Sequence, residues 1–245
     1  DLGITCSLAT ELEAEVAEKL VDAVPCAEMV RFGKNGSDAT TGAVRVARAA
    51  TGREIVAVCG YHGWHDWYVG STTRNKGIPS AVQGLTERFE YNNLESLQSL
   101  FDKHRGRIAA VIMEPMNMIE PEDGFLQSVA ALTRKEGAIL IFDEIITGFR
   151  FARGGAQEYF GVTPDISAFG KALGNGMPIA AVETIMPKTL ISSETRREMR
   201  SATHPKTAPP KGRAMNEIAK PNHTPYSCSA DVAKKLSEIA SETSA

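Results

Sequence analysis

The chain has 245 residues, 42% hydrophobic and 23% charged, enough apolar material for one sizeable core and too much for gross disorder. A net charge of -3 offers no basic surface for nucleic acid, and no apolar run approaches the roughly 20 residues that a bilayer span requires. The start DLGITCSLATELEAE lacks the basic-then-apolar layout of a signal peptide, so a cytoplasmic protein with a small-molecule site is expected.

Thr10 and Glu13 make a capping box for a helix with Leu12, Val16, Leu20 and Ala23 on one face, and Pro25 should end it. A strand follows over Met29 to Phe32, then the turn Asn35-Gly36-Ser37-Asp38. Beyond it Ala39, Ala43, Val46, Ala47 and Ala50 recur at helical spacing. Ile55 to Val58 reads as strand, the Leu94 to Phe101 region as helix, and Ile108 to Met113 as strand. The Phe125 to Lys135 region reads as helix, Ala138 to Phe142 as strand, and Ile166 to Phe169 as a further short apolar stretch. Strands apolar on both faces, alternating with helices, predict an α/β fold: a mostly parallel sheet with helices on both faces. Ligands on such sheets sit beyond the carboxyl ends of the strands.

The last quarter differs in kind. From Glu183 to Ala245 there are ten Lys or Arg against seven Asp or Glu, whereas the remainder is acidic. Prolines 205, 209, 210, 221 and 225 among polar residues favour an extended or disordered linker, with a short helix around Val232, Leu236 and Ile239. Cys6, Cys26, Cys59 and Cys228 lie far apart without a Cys-x-x-Cys pair and are expected as reduced thiols.

Several residues at the strand ends could carry chemistry. Lys171 stands between an apolar stretch and the turn Gly174-Asn175-Gly176, where partial desolvation would free its amine for imine chemistry; alone it would read as a solvated surface lysine. Asp143 closes an apolar strand, and a buried carboxylate there needs a partner such as a protonated pyridine nitrogen; a helix cap or turn aspartate is the plainer reading. Glu144 reads as a neighbouring structural or substrate-side group. Gly36 and Ser37 open a helix and can converge on a phosphate, or merely cap it. There is no Walker ending and no Gly-x-Gly-x-x-Gly spacing, which disfavours nucleotides. Tyr61 can lie on a planar ring, with Gly63 leaving room for close approach. His62 and His65 could bind a metal, but no further ligand set joins them, and none is expected.

Taken in order, Asn35-Gly36-Ser37-Asp38-Ala39, Tyr61-His62-Gly63, Glu114-Pro115, Asp143 through Arg150 and Gly170 through Gly176 resemble class-III pyridoxal-phosphate-dependent aminotransferases, nearest the glutamate-1-semialdehyde aminomutase branch. The resemblance covers roughly Ser7 to Val182. It implies the aspartate-aminotransferase fold (fold type I), with 7–182 a partial large domain and 183–245 a non-family tail. It further implies pyridoxal 5'-phosphate as cofactor, Lys171 as the Schiff-base lysine and proton shuttle, and Asp143 as partner of the pyridinium nitrogen. Gly36 and Ser37 would hold the phosphate, Tyr61 would cover the ring, and Ile145 would pack on the opposite face. Glu114, Asn117 and His62 would lie near cofactor or substrate. The partners implied are a small amino donor and an oxo acceptor, usually with a homodimer. The Trp64 to Arg74 stretch would suit an amino sugar or an amino acid. A segment before Asp1 and a smaller carboxy-terminal domain are expected to be missing, so the sequence leaves open a truncated, catalytically inactive domain that still binds cofactor or a partner subunit.

Overall fold

The computed structural model describes residues 10–184. Helix α1 (Glu11–Ala23) starts at the anticipated capping box: Thr10 Oγ1 accepts the Glu13 N–H at 3.3 Å, and Glu13 Oε2 accepts the Thr10 N–H at 2.9 Å. Val24 is extended, as the residue before a proline prefers, and the helix ends there. Strand β1 (Met29–Gly33) leads into α2 (Gly36–Thr51), and β2 (Ile55–Cys59) follows. Two short helices, α3 (Asp66–Val69) and α4 (Ser80–Gln83), precede β3 (Thr86–Arg88). Then come α5 (Leu94–Lys103), β4 (Ile108–Met113), α6 (Phe125–Lys135), β5 (Ile139–Asp143), α7 (Ala156–Phe160) and β6 (Ile166–Phe169). A 3-10 turn (Lys171–Gly174) and β7 (Ala180–Thr184) complete the described residues.

All seven strands form one sheet in the order β1-β7-β6-β5-β4-β2-β3. From β3 to β6 every pairing is parallel; β7 is inserted antiparallel between β6 and β1. Two reversals restore the direction, so β1 runs the same way as β6, and the sheet is mostly parallel as its alternating pattern requires. Helix α2 covers one face, packing Ala39, Ala43 and Ala47 on Val56, Ile112, Ile141 and Ala168. Helices α5 and α6 cover the other over Ala57, Val111 and Phe142, and α1 extends that layer over Phe169 and Ala181. β2, β4, β5 and β6 are buried along their entire length, and each fully buried Val, Leu or Ile contributes about 1.5–3 kcal/mol of transfer free energy.

Two strands went unread in the sequence. β3 is three residues, Thr86-Glu87-Arg88, at the sheet edge, where charge is a protection and alternation is too short to register. β7 contains Glu183, a residue that strand patterns exclude, yet all five of its positions are buried. The proline-rich stretch, the helix around Val232 to Ile239, Cys6 and Cys228 lie outside the described residues. Cys26 and Cys59 are free and buried.

Candidate active site

Five chain segments leave the same edge of the sheet, because β1, β2, β4, β5 and β6 all run in one direction. Each carries a candidate residue within a few positions of its carboxyl end: Gly36 and Ser37 after β1, Tyr61 and His62 after β2, Glu114 after β4, Asp143 closing β5, and Lys171 after β6. Gly36 and Ser37 are the first helical residues of α2, so their amides have no acceptor within the helix. The turn is braced by Asp38, whose Oδ2 accepts the N–H groups of Lys34 at 3.2 Å and Asn35 at 2.8 Å.

Asp143 is buried, and its Oδ2 faces His62 Nδ1 at 2.8 Å while Oδ1 accepts the Ile145 N–H at 3.1 Å. His62 is buried too, with Nε2 facing the Cys59 carbonyl at 3.1 Å. A carbonyl only accepts, so Nε2 carries a hydrogen; the short Nδ1–Oδ2 contact then requires one further hydrogen shared between ring and carboxylate. Glu114 accepts the Tyr61 N–H at 3.2 Å, and burial raises its carboxyl above the usual range against that bond. The charges of Asp143, His62 and Lys171 all reach it. Lys171 is exposed and holds a left-handed backbone at φ +41°, a conformation that costs a non-glycine residue about 1–3 kcal/mol. Leu173, buried and bonded from its N–H to the Gly170 carbonyl at 3.0 Å, anchors that turn.

Ile145 links the two ends of the cluster. A Cβ built on Gly36 or on Gly170 would each stand 3.0 Å from Ile145 Cδ1, so both glycines are spaces that this side chain fills. The Tyr61 ring is 64% exposed and stands edge-on to Tyr68, open on the solvent side of the cluster.

Residues 2–194 match the aminotransferase class-III family. The chain belongs to that family. Among its class-III relatives are a 3-aminobutyryl-CoA aminotransferase of Cloacimonas acidaminovorans, 44% identical over 74% of this chain and 44% of the relative, and a glutamate-1-semialdehyde 2,1-aminomutase of Alkaliphilus oremlandii, 46% identical over 73% and 46%. The chain thus spans about half the length of the curated relatives it matches. An omega-transaminase from Sphaerobacter thermophilus superposes with a TM-score of 0.68 at 34% identity, over 75% of this chain and 46% of that one. The FumI protein of a Sphingopyxis species, solved with PLP, gives 0.74 at 28% identity, over 96% and 53%. The fold is therefore the fold type I of PLP-dependent transaminases.

Within this class-III frame, two sequence expectations change. Gly63 does not leave room for a ligand: a Cβ there would collide with Ser37 Oγ, so the space belongs to the protein's own serine. In the Trp64 to Arg74 stretch, Trp67 and Tyr68 are buried in the core beneath α2 and cannot present a substrate surface, whereas Trp64 is 71% exposed. Asn117 lies on an exposed loop, its Oδ1 accepting the Ile119 N–H at 3.1 Å. Glu144 is structural: it is wholly buried and accepts from Thr147, Ala156 and Gln157. The sequence reading missed Thr41, which lies one helical turn after Ser37 and bonds both His65 and Trp67. A hydroxyl at that i+4 spacing was the available signal.

Proposed function

We propose that this chain is the cofactor-holding part of an enzyme that moves an amino group with pyridoxal 5'-phosphate, either from an amino donor to an oxo acceptor or between positions of one skeleton. The observation that carries this is the meeting, at one sheet edge, of a buried proton-sharing pair, Asp143 and His62, with the exposed amine of Lys171, around the shared neighbour Glu114. The donor set suits the cofactor. The free amides of Gly36 and Ser37 and the Ser37 hydroxyl match a phosphate at a helix start. The buried Asp143 carboxylate matches a protonated ring nitrogen, the exposed Tyr61 ring and the Ile145 side chain match two faces of a planar ring, and Lys171 matches an aldehyde.

When bound, pyridoxal phosphate delocalises the electron pair left as a substrate C–H bond loses its proton. The chain supplies the rest. Asp143, held by His62, keeps a negative charge where a ring proton must be retained, and His62 steadies that charge from behind. Lys171 Nζ, carried on a short anchored turn, would hold the aldehyde end until a substrate amine takes its place, and the freed amine would then accept and return the proton at the reacting carbon. Glu114, whose carboxyl burial raises above the usual range, accepts the Tyr61 N–H and so would fix the backbone that carries the ring-covering tyrosine.

The partners proposed are a small amino compound and an oxo compound, in keeping with the names of the relatives. The working unit proposed is a homodimer, supported by the apolar loop after β4, where Met118 is 98% and Ile119 63% exposed. Mixing the purified chain with pyridoxal phosphate tests the reading. A visible absorption band that Lys171→Ala removes, and that amino donors change, is expected; a band indifferent to Lys171 would overturn it.

A further inference from the structure

We propose that Thr41 is a positioning residue: its hydroxyl fixes the register between the phosphate turn at Gly36 and Ser37 and the segment that carries Tyr61, so that one ligand can span both. The proposal rests on the cofactor reading above. Its basis is a pair of hydrogen bonds that Thr41 of α2 makes to His65 and Trp67.

The Trp67 indole Nε1–H can only donate, and it meets Thr41 Oγ1 at 2.9 Å. The threonine oxygen therefore accepts there, and its own hydrogen is free to go to His65 Nδ1, 2.8 Å away. In that arrangement Nδ1 is the bare ring nitrogen and the imidazole hydrogen sits on Nε2, on the side of Asp38 Oδ1, which at 3.9 Å is a charge contact beyond hydrogen-bond reach. The other oxygen of Asp38 already braces the Lys34 and Asn35 amides that lead into Gly36. The hydrogen bonds thus run from the buried Trp67 through Thr41 to His65, and the His65 ring stands near the carboxylate that braces the phosphate turn.

Two other hydrogen bonds join these segments. The Trp64 N–H reaches Ser37 Oγ at 3.4 Å, and the Thr40 hydroxyl divides its hydrogen between the carbonyls of His62 at 2.9 Å and Ser37 at 3.2 Å. Thr41 makes two short bonds through one hydroxyl. Losing its hydroxyl leaves a buried indole N–H unpaired and unfastens His65, while neither Ser37 nor Tyr61 is itself altered. Each half of the ligand site survives; what is lost is their alignment, and alignment matters only to a molecule that occupies both halves.

The test compares wild type, Thr41→Val and Thr41→Ser in equilibrium dialysis against pyridoxal phosphate, pyridoxal and inorganic phosphate. In Thr41→Val, affinity for pyridoxal and for phosphate should stay within about twofold of wild type, while affinity for pyridoxal phosphate falls about tenfold. Thr41→Ser, which keeps the hydroxyl, should restore it. A merely structural role would weaken all three ligands together, and that outcome overturns the proposal. Wild-type affinity for pyridoxal phosphate in Thr41→Val overturns it as well. Should Thr41→Val not fold, His65→Phe removes the second of the two Thr41 bonds while keeping a ring, and the same three-ligand pattern is required of it. A wild-type chain that binds no pyridoxal phosphate overturns the cofactor reading itself, a result distinct from any that removes the positioning role alone.

Discussion

Asp143 and Glu144 are consecutive buried carboxylates with opposite surroundings. Asp143, the last residue of β5, has one oxygen on a histidine and the other on a single backbone amide, at the sheet edge where Lys171 emerges. Glu144 turns the other way, into a pocket of donors: its Oε2 accepts from Thr147 at 2.6 Å and Ala156 at 2.7 Å, and its Oε1 from Gln157 N at 2.9 Å and Nε2 at 3.3 Å. Gln157 continues to Ser167 Oγ at 2.9 Å and, through Oε1, to the Cys26 N–H at 3.0 Å. One carboxylate is saturated and fastens loops together. Its neighbour keeps acceptor capacity that the protein does not use up. The difference separates a group that holds the fold from one left open at the proposed site.

The sharpest way to break the comparison is to remove the amine that the open side is built around. Lys171→Ala should abolish the visible band formed with pyridoxal phosphate and lower amino transfer by about 10²–10⁴-fold. Thermal unfolding without ligand should be little changed, because alanine bears the same left-handed backbone cost as lysine and the exposed side chain leaves no buried partner behind. Asp143→Asn should come next, lowering transfer about 10²-fold by removing charge at the ring nitrogen while keeping a side chain that can still face His62. If the asparagine variant loses stability and keeps its activity, the division between the two carboxylates is wrong.

Glu144→Ala should do the reverse. It strands the Thr147 hydroxyl, two backbone amides and the Gln157 amide in a dry interior, at a cost of about 3–5 kcal/mol. Urea unfolding should show that loss, and whatever remains folded should still give the band with pyridoxal phosphate. A stable variant that cannot take up the cofactor would move Glu144 to the site side.

The apolar strands and amphipathic helices were legible because burial on both faces writes itself as unbroken runs, as in Ile108–Met113, and helical spacing persists through Phe125–Lys135. Candidate site residues were legible where the chain must turn sharply at a strand end, as at Gly36 or Lys171. What was hidden depends on partners distant in sequence. The His62–Asp143 contact joins residues 81 apart, and nothing local distinguishes His62 from His65. Gly63 was misread for the same reason: the atom filling its space belongs to Ser37, 26 positions earlier by number. β7 was obscured by Glu183, whose burial only the neighbouring strands reveal.

Glu183 supplies the subtlest test, because it extends the saturated side of the comparison to a group that is not saturated. It pairs across the sheet with Ser167 on one side and Val30 on the other, is wholly buried, and neither carboxyl oxygen has a hydrogen-bond partner among the described residues. Burial, with the nearby Glu144 charge added, holds its carboxyl well above the ordinary value of 4.5, so the native chain keeps that proton when the unfolded chain has released it. Below the unfolded value both states are protonated and the group costs nothing by ionisation. As pH rises toward the folded value, unfolding releases a proton and stability falls. Glu183→Gln cannot ionise, so in urea unfolding from pH 4 to pH 8 its stability relative to wild type should rise with pH, reaching a gain of about 1–3 kcal/mol. The slope will be reduced and not abolished, since burial also raises Glu114, Glu144 and Asp165. Cys26, pushed up to about 12 by the same burial, stays neutral throughout that range. A stability difference that is the same at every pH would mean that Glu183 ionises in the native chain as freely as in the unfolded one, and that this end of the sheet is not the closed counterpart of the site.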